Sequence, residues 1–552
     1  GRSFAAGQQS PTVNIAQGTV IGSVATDGNY FEFHGIPYAG STSGENRFKA
    51  PPAAPTFATP FEANIKNIKC VRPLGNGSEG VEDCLVANIF TSTLDNTAKL
   101  PVMVWIKGKE FDRTNVPELS FRNFVEKDVI VVSLNYRESI FGFLCLGTEA
   151  APGNAGLKDI IAGLKWVKAN IAQFGGNSEH ITLFGHGSGA AAVDLVTMSP
   201  MAKGLIQKAI VQSGNAFAPW AVTRDNLEHA ILVAEALGHE ALSTEQLSDI
   251  FTKGHVSTLM AGINILDLTD NSLAFAPCVE KHELEGVEAF LTKTPFQITR
   301  NGEFLQIPII FGFVDNEGTI RAKEALESNW LEKMERSFAD FIQSDLKFET
   351  DTEKLAVAQR IKDFYFEGNQ IDIENYIEYH GDTTMLVSTL REVSNRKLAS
   401  QSPIYLYQFS YSGMLGEPFK GPIPVESAAH SEELAYLFYN TPVEGTSDLD
   451  YVIRDILVDR WTSFAKTGNP TSAISQVSWL PCTNATINYL RVLHNTEINK
   501  DQILDVALLN PHPEKTNFWA LIYDFHFLDA ESNWEIQPPE NDVTTTTQSP
   551  ED

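Results

Sequence analysis

"HITLFGHGSGAAAVDLVTM" occupies residues 180–198, and its reading decides the fold. Its first half is an apolar run that reads as a buried strand, and "AAAVDLVTM" reads as a helix. Small residues join the two. A strand that turns sharply into a helix through such residues is the setting of the nucleophile elbow, G-x-S-x-G, which lifts a serine hydroxyl above a sheet. Here the five positions are Gly185, His186, Gly187, Ser188 and Gly189. Both outer glycines are present, the centre is glycine, and the serine comes one residue late. Glycine has no side chain to attack a carbonyl, so the turn is specified and its nucleophile is not.

A shift of the nucleophile to Ser188 would put His186 and Ala190 where the close strand–helix crossing needs small residues, and histidine would crowd that turn. It would also swing the hydroxyl away from any base, and a misplacement of about 1 Å can cost about 100-fold. Ser188 therefore reads as the first residue of a helix, its hydroxyl satisfying a backbone N–H.

Outward from this turn the chain alternates apolar and amphipathic segments. "PVMVWI" and "VIVVSLNY" read as adjacent central strands buried on both faces. "LKDIIAGLKWVKANIAQF" sets Leu157, Ile160, Ile161, Leu164 and Val167 along one helical face. Strand–loop units recur at "IPIIFGFVDNEG" and "PIYLYQFSY", with acidic helical stretches such as "LESNWLEKMERSFADFIQ" between them. The pattern predicts one α/β domain, a large mostly parallel sheet with helices on both faces. Its expected span is 11–530, after an extension at 1–10. The acidic tail at 531–552, with "VTTTTQSPED", is too polar to bury a core and is expected to be disordered.

The 552 residues carry 41 basic and 70 acidic side chains, a net charge of −29. Such a field repels nucleic acid and attracts cationic partners. No apolar run is long enough to span a bilayer, and "GRSFAAGQQSP" lacks the apolar core of a signal peptide. Of the five cysteines, Cys145 and Cys278 sit in apolar contexts that read as buried free thiols. Cys70 and Cys84 bracket the polar "VRPLGNGSEGVED", which reads as a loop closed by a disulfide. Asn76 and Asn484 head N-glycosylation triplets. No EF-hand loop is present, and no metal or other cofactor is expected.

The order and spacing of short words along the chain carry a resemblance. "GIPYA", "NRFKAP", "EDCL", "NYR", "FGFL", "PGNAGLKD", "WVKANIAQFGGN", "ITLFG" and "QSGNA" together resemble the type-B carboxylesterase and cholinesterase family from about Pro11 to Leu528. The resemblance implies an α/β-hydrolase fold with a deep gorge, and it supports the pairing of Cys70 with Cys84; no cysteine pair is evident for the family's other bridges. It also implies a serine–glutamate–histidine triad, whose acid falls at Glu317 in "FVDNEG" and whose base falls at His430 in "AAHSEEL". The nucleophile position falls on Gly187. The family's glycine-rich oxyanion turn falls on "KGKEF", where Gly108 remains and Lys109 and Glu110 replace glycines. Losing one oxyanion donor costs about 100- to 1,000-fold, so a serine restored at Gly187 alone is not expected to restore turnover. The Cys70–Cys84 loop holds no tryptophan for a cation–π site.

With both machineries degenerate, the chain is expected not to be an enzyme. It resembles the family's non-catalytic adhesion and matrix members (the neuroligin, neurotactin, gliotactin and glutactin group), among them the acidic secreted glutactin type. That implies a secreted or cell-surface protein binding extracellular proteins, cationic matrix components or itself. A homodimer through the apolar terminal helix "TNFWALIYDF" stays open. The alternatives are an esterase of atypical mechanism, using Ser188 or a water activated by His430, and a scavenger of small ligands in the gorge.

Overall fold

The computed structural model describes residues 10–108, 118–368, 370–499, 502–529 and 531–537. The apolar runs form the centre of one sheet of eleven strands among these residues. In chain order they are β1 Ser23–Val24, β2 Phe31–Pro37, β3 Val86–Thr91, β4 Leu100–Ile106, β5 Ile130–Leu134, β6 Gly176–His186, β7 Lys208–Gln212, β8 Ile309–Val314, β9 Ile404–Phe409, β10 Asn488–Val492 and β11 Asp505–Leu509. Across the sheet they run β11, β10, β9, β8, β7, β6, β4, β5, β3, β2, β1. The stretch from β10 to β5 is parallel throughout, and antiparallel strands finish both edges. The fold is the expected one, an α/β-hydrolase sheet with helices on both faces.

Parallel strands need crossovers that cover the sheet, and alternation along each strand supplies two core layers. Val102, Val104 and Leu183 face one layer; Met103, Trp105 and Phe184 face the other. On the first lie helix α1, Ala155–Asn170, and helix α2, Ser188–Thr197. The five apolar residues spaced along α1 are all buried. On the second lies α3, Asp448–Thr467, through Ile453, Trp461 and Phe464. Part of the acidic stretch after β8 forms a short helix, Trp330–Arg336. It packs with Tyr376 and with Trp519 of the terminal helix α4, Pro513–His526, in a separate cluster. Helix α4 turns Trp519, Ile522 and Tyr523 inward and leaves Phe525 79 % exposed.

Cys70 and Cys84 form a disulfide with a Cα–Cα distance of 5.1 Å. The reading of Cys145 and Cys278 as free thiols is corrected, because they form a second bridge across 133 residues. The chain makes room for it with Gly153, where a Cβ would stand 2.5 Å from the Cys278 sulfur and 2.8 Å from that of Cys145. The Asn154 amide donates to the Cys278 carbonyl at 2.8 Å and holds the two segments together. Cys482 remains a half-buried thiol, pushed up to about 12 by burial.

Residues 531–537 of the expected tail lie against the body, where the Asn533 N–H donates to Asn226 Oδ1 at 2.9 Å. The threonine-rich residues beyond them fall outside the described residues. No helix among the described residues is long and apolar enough to cross a membrane.

Candidate active site

The elbow forms as the glycine spacing requires. Strand β6 ends at His186 and α2 begins at Ser188. Gly187 between them has φ +63°, a left-handed value that glycine adopts without strain. Its N–H donates to the Gln212 carbonyl at 2.9 Å, tying the turn to β7. Gly189 is needed for close approach, because a Cβ there would lie 2.2 Å from the Ile106 carbonyl oxygen. At Gly187 a Cβ would meet nothing within 4 Å.

Glu317 and His430 come from the loops after β8 and β9, and the structure brings them together. His430 Nδ1 lies 3.0 Å from Glu317 Oε1, the histidine side chain 13 % exposed and the glutamate 2 %. A carboxylate only accepts, so Nδ1 carries the proton and Nε2 is the basic ring atom. The loops are pinned to each other: the His430 N–H donates to Thr319 Oγ1 at 2.9 Å, and the Asn316 N–H donates to the Ala428 carbonyl at 2.9 Å. Gly318 sits so close to the neighbouring helix that a Cβ would stand 1.7 Å from the Ile377 carbonyl oxygen.

His430 and Gly187 line a cavity of about 360 Å³ together with Gly108, Ser188, Trp105, Trp220, Phe121 and Met385, with Glu317 bonded to the histidine. Its two indoles come from outside the Cys70–Cys84 loop. On another wall Lys66 Nζ and His34 Nε2 hold the two oxygens of Glu32 at 2.9 and 3.3 Å, and they keep that carboxylate ionised below its ordinary range against the opposing cost of burial. Ser188 is the first residue of α2, as expected, and it also lines the cavity. Gly108 packs directly on the elbow, where a Cβ would lie 2.3 Å from the Gly189 nitrogen. Lys109 and Glu110 lie outside the described residues. Asn76 and Asn484 are both exposed, as sugar acceptors must be.

The sequence reading missed one pair of residues. His186, taken only as an obstacle to a shifted nucleophile, lines the cavity with its Nε2 3.3 Å from Glu433 Oε1. Its ring centroid lies 4.8 Å from that of His430. The signal was a histidine inside the elbow and a second glutamate three residues after the base, but nothing in the spacing linked them.

Glu432, beside this pair, carries a pH dependence of its own. Burial pushes its carboxyl up to about 7, and its Oε2 has no hydrogen-bond partner among the described residues. A carboxyl raised on folding stabilises the fold fully below its unfolded value of about 4.3, and that contribution is lost as pH rises through about 7. Glu432→Gln has no charge to bury. Its urea midpoint relative to wild type is therefore expected to rise between pH 5 and pH 8; a difference independent of pH would show that Glu432 is not the buried acid.

A parallel sheet whose strand ends carry a left-handed elbow and, opposite it, a carboxylate-held histidine is the arrangement of the α/β-hydrolases. A profile of the Carboxylesterase family matches residues 9–512. The chain belongs to that family. It is 30 % identical over 540 residues to a carboxylic ester hydrolase of Bombus ignitus, covering 94 % of this chain and 95 % of the relative. It is 29 % identical to venom carboxylesterase-6 of Apis mellifera, covering 93 % and 95 % of the two chains. The crystal structure of juvenile hormone esterase from Manduca sexta superposes with a TM-score of 0.81 at 25 % identity, over 94 % of this chain and 100 % of that one.

These relatives overturn the expectation that the chain is not an enzyme. Proteins named as ester hydrolases match it over nearly their whole length, and they point to an enzyme. The inference from Gly187, Lys109 and Glu110 went too far for a physical reason: losing a covalent nucleophile and an oxyanion donor lowers the rate by one route, and general-base catalysis with water is a separate route.

Proposed function

We propose that the protein hydrolyses carboxylic esters with water in place of the serine nucleophile. The observation that carries this reading is the Glu317–His430 pair, joined at 3.0 Å, whose histidine lines one cavity with Gly187, where a side chain would meet nothing within 4 Å. A water in that space gives a proton to His430 Nε2 as its oxygen bonds to the ester carbonyl carbon, and the carbonyl electron pair moves to oxygen. Collapse of the tetrahedral species breaks the bond to the alcohol oxygen, which takes the proton back from His430. Glu317 accepts the Nδ1–H throughout and stabilises the imidazolium. The apolar walls suit short acyl or aromatic esters. With Lys109 and Glu110 in the oxyanion turn the rate is expected to be low, since one lost donor costs about 100- to 1,000-fold.

The test is turnover of 4-methylumbelliferyl esters followed by intact mass. Hydrolysis without an acyl adduct supports the reading. A stoichiometric fluorophosphonate adduct on Ser188 would replace water with that serine. Saturable ligand binding without turnover, read as a rise in melting temperature, would favour a scavenger, the second reading that the same cavity supports.

An extracellular setting is supported by two disulfides and by the relative named from venom. An additional adhesion or matrix role of the glutactin type, with protein or cationic partners, is supported by the charge of −29; binding of the multimerised protein to extracellular proteins at physiological salt tests it, and no binding removes it. Self-association through α4 is supported by the exposed Phe525. Phe525→Asp is expected to turn a dimer into a monomer by analytical ultracentrifugation, and a wild type already monomeric would end that proposal.

A further inference from the structure

A second cleft, of about 580 Å³, shares no lining residue with the active-site cavity. Its size falls in the range of about 300–1,000 Å³ that takes a drug-sized ligand. The charges on its walls are already matched. Arg321 pairs with Glu324 at 3.0 Å, Lys323 with Glu327 at 3.8 Å and Lys333 with Asp267 at 3.0 Å. A lining so balanced offers no net charge to an ion and suits a neutral polar ligand. Glu324 Oε2 is buried with no hydrogen-bond partner among the described residues, which leaves one acceptor on the wall for a hydroxyl or an N–H. Ile265, also on the wall, is 66 % exposed and supplies an apolar platform.

Asn76 stands on the rim of this cleft. It sits at the tip of a two-residue hairpin turn between the strands Arg72–Leu74 and Gly77–Glu79. Gly75 takes φ +57° there, the left-handed value that such a turn requires. The hairpin is fixed at both ends. The Cys70–Cys84 bridge closes its base, and Asn264 Nδ2 donates to the Asn76 and Gly77 carbonyls at 3.0 and 3.1 Å. Asn76, Gly77 and Ser78 are all exposed, so the acceptor triplet is presented whole. We propose that an N-linked glycan on Asn76 folds back into this cleft and is held there as part of the structure. This rests on the extracellular reading above. In the modification the Asn76 amide nitrogen bonds to C1 of the first N-acetylglucosamine of a lipid-linked diphosphate donor. The bond from C1 to the diphosphate oxygen breaks, the diphosphate leaves with that electron pair, and the amide proton goes to solvent. The sugar then starts at the rim, its ring face and acetamido methyl over Ile265 and its polar groups toward Glu324, Ser328 and Asn329 on the wall.

The full chain secreted from human cells decides it. Peptide and intact mass before and after N-glycosidase F are expected to show a glycan on Asn76, lost in Ser78→Ala and kept in Ser78→Thr, since the triplet takes either hydroxyl. Hydrogen exchange in residues 263–275 and 322–333, which wall the cleft, is expected to be slower in wild type than in Ser78→Ala by about threefold or more, because a docked sugar suppresses local opening. Ser78→Thr is expected to match wild type, and Asn484→Gln to leave these segments unchanged. Enzymatic removal of the glycan from the folded wild type repeats the comparison without a substitution, and it is expected to lag at Asn76 behind Asn484. A glycosylated Asn76 whose removal leaves exchange unchanged puts the sugar in solvent and overturns the proposal. A bare Asn76 beside a glycosylated Asn484 overturns it as well and leaves the extracellular reading standing. A chain retained in the cell with both sites bare removes that reading too.

Discussion

Replacing His430 is expected to lower ester hydrolysis by about 100- to 10,000-fold, the range that a positioned general base contributes. The expectation follows from the division of labour in the cavity. Water at neutral pH is a poor nucleophile until a base takes its proton in the transition state, and the basic atom in place is His430 Nε2. The variant of choice is His430→Gln rather than alanine. Glu317 is 2 % exposed and its Oε1 is held by the histidine, so alanine would leave a buried carboxylate without its donor, at a cost of about 1–3 kcal/mol. Glutamine can still donate to Glu317 but cannot act as a base. The check is kcat/KM for short-chain umbelliferyl esters beside a melting curve. A fall of less than about fivefold in a folded His430→Gln protein would mean that hydrolysis does not run through this histidine.

Breaking the Cys145–Cys278 bridge is expected to be the most destabilising single change among the described cysteines. In the chain-entropy picture a cross-link stabilises by restricting the unfolded chain, and the effect grows with the logarithm of the loop it closes. A separation of 133 residues corresponds to about 5 kcal/mol, against about 3 kcal/mol for the separation of 14 between Cys70 and Cys84. Both are a large share of the roughly 5–15 kcal/mol by which folded domains are stable. Paired serine replacements at each bridge, compared by urea midpoint, test the order as well as the size. An equal or smaller loss at Cys145–Cys278 would show that the surrounding core, with Gly153 and Asn154 packed on the bridge, already fixes that connection.

The elbow shows how far sequence reasoning reaches and where it stops. The glycines at 185, 187 and 189 serve local backbone geometry, and local geometry leaves a periodic trace: strand, tight turn and helix were legible because each is specified within a few residues. Leu157, Ile160, Ile161, Leu164 and Val167 were legible as a buried face for the same reason. Glu317 and His430 came from resemblance alone, since nothing in "FVDNEG" or "AAHSEEL" says that the two loops meet. Cys145–Cys278 and His186–Glu433 were not legible at all. Each joins segments that only the tertiary fold brings together; Cys145 and Cys278 had a sufficient reading as buried thiols, His186 as a bulky neighbour of the turn, and Glu433 drew no reading. The larger error was to treat a missing nucleophile and a degenerate oxyanion turn as the loss of all activity, which the ester-hydrolase relatives overturn.

Strand order in the sheet follows chain order with a single exchange, of β4 with β5. The order of synthesis is therefore nearly the order of assembly. Apart from β4, whose neighbours β5 and β6 both come later, each strand that leaves the ribosome finds a neighbour already made, and the growing sheet presents a fresh edge to solvent. That edge waits longest on either side of β8, which follows β7 by almost a hundred residues and precedes β9 by about ninety. Ile309–Val314 is buried along its whole length in the finished protein, so in a nascent chain, paired only with β7, it is an apolar strand with one open edge, the kind that recruits other chains. The long helical insertion before β9 thus sets an interval during translation in which that edge stays open, and a ribosome stalled there is expected to yield aggregates rather than a soluble half-protein.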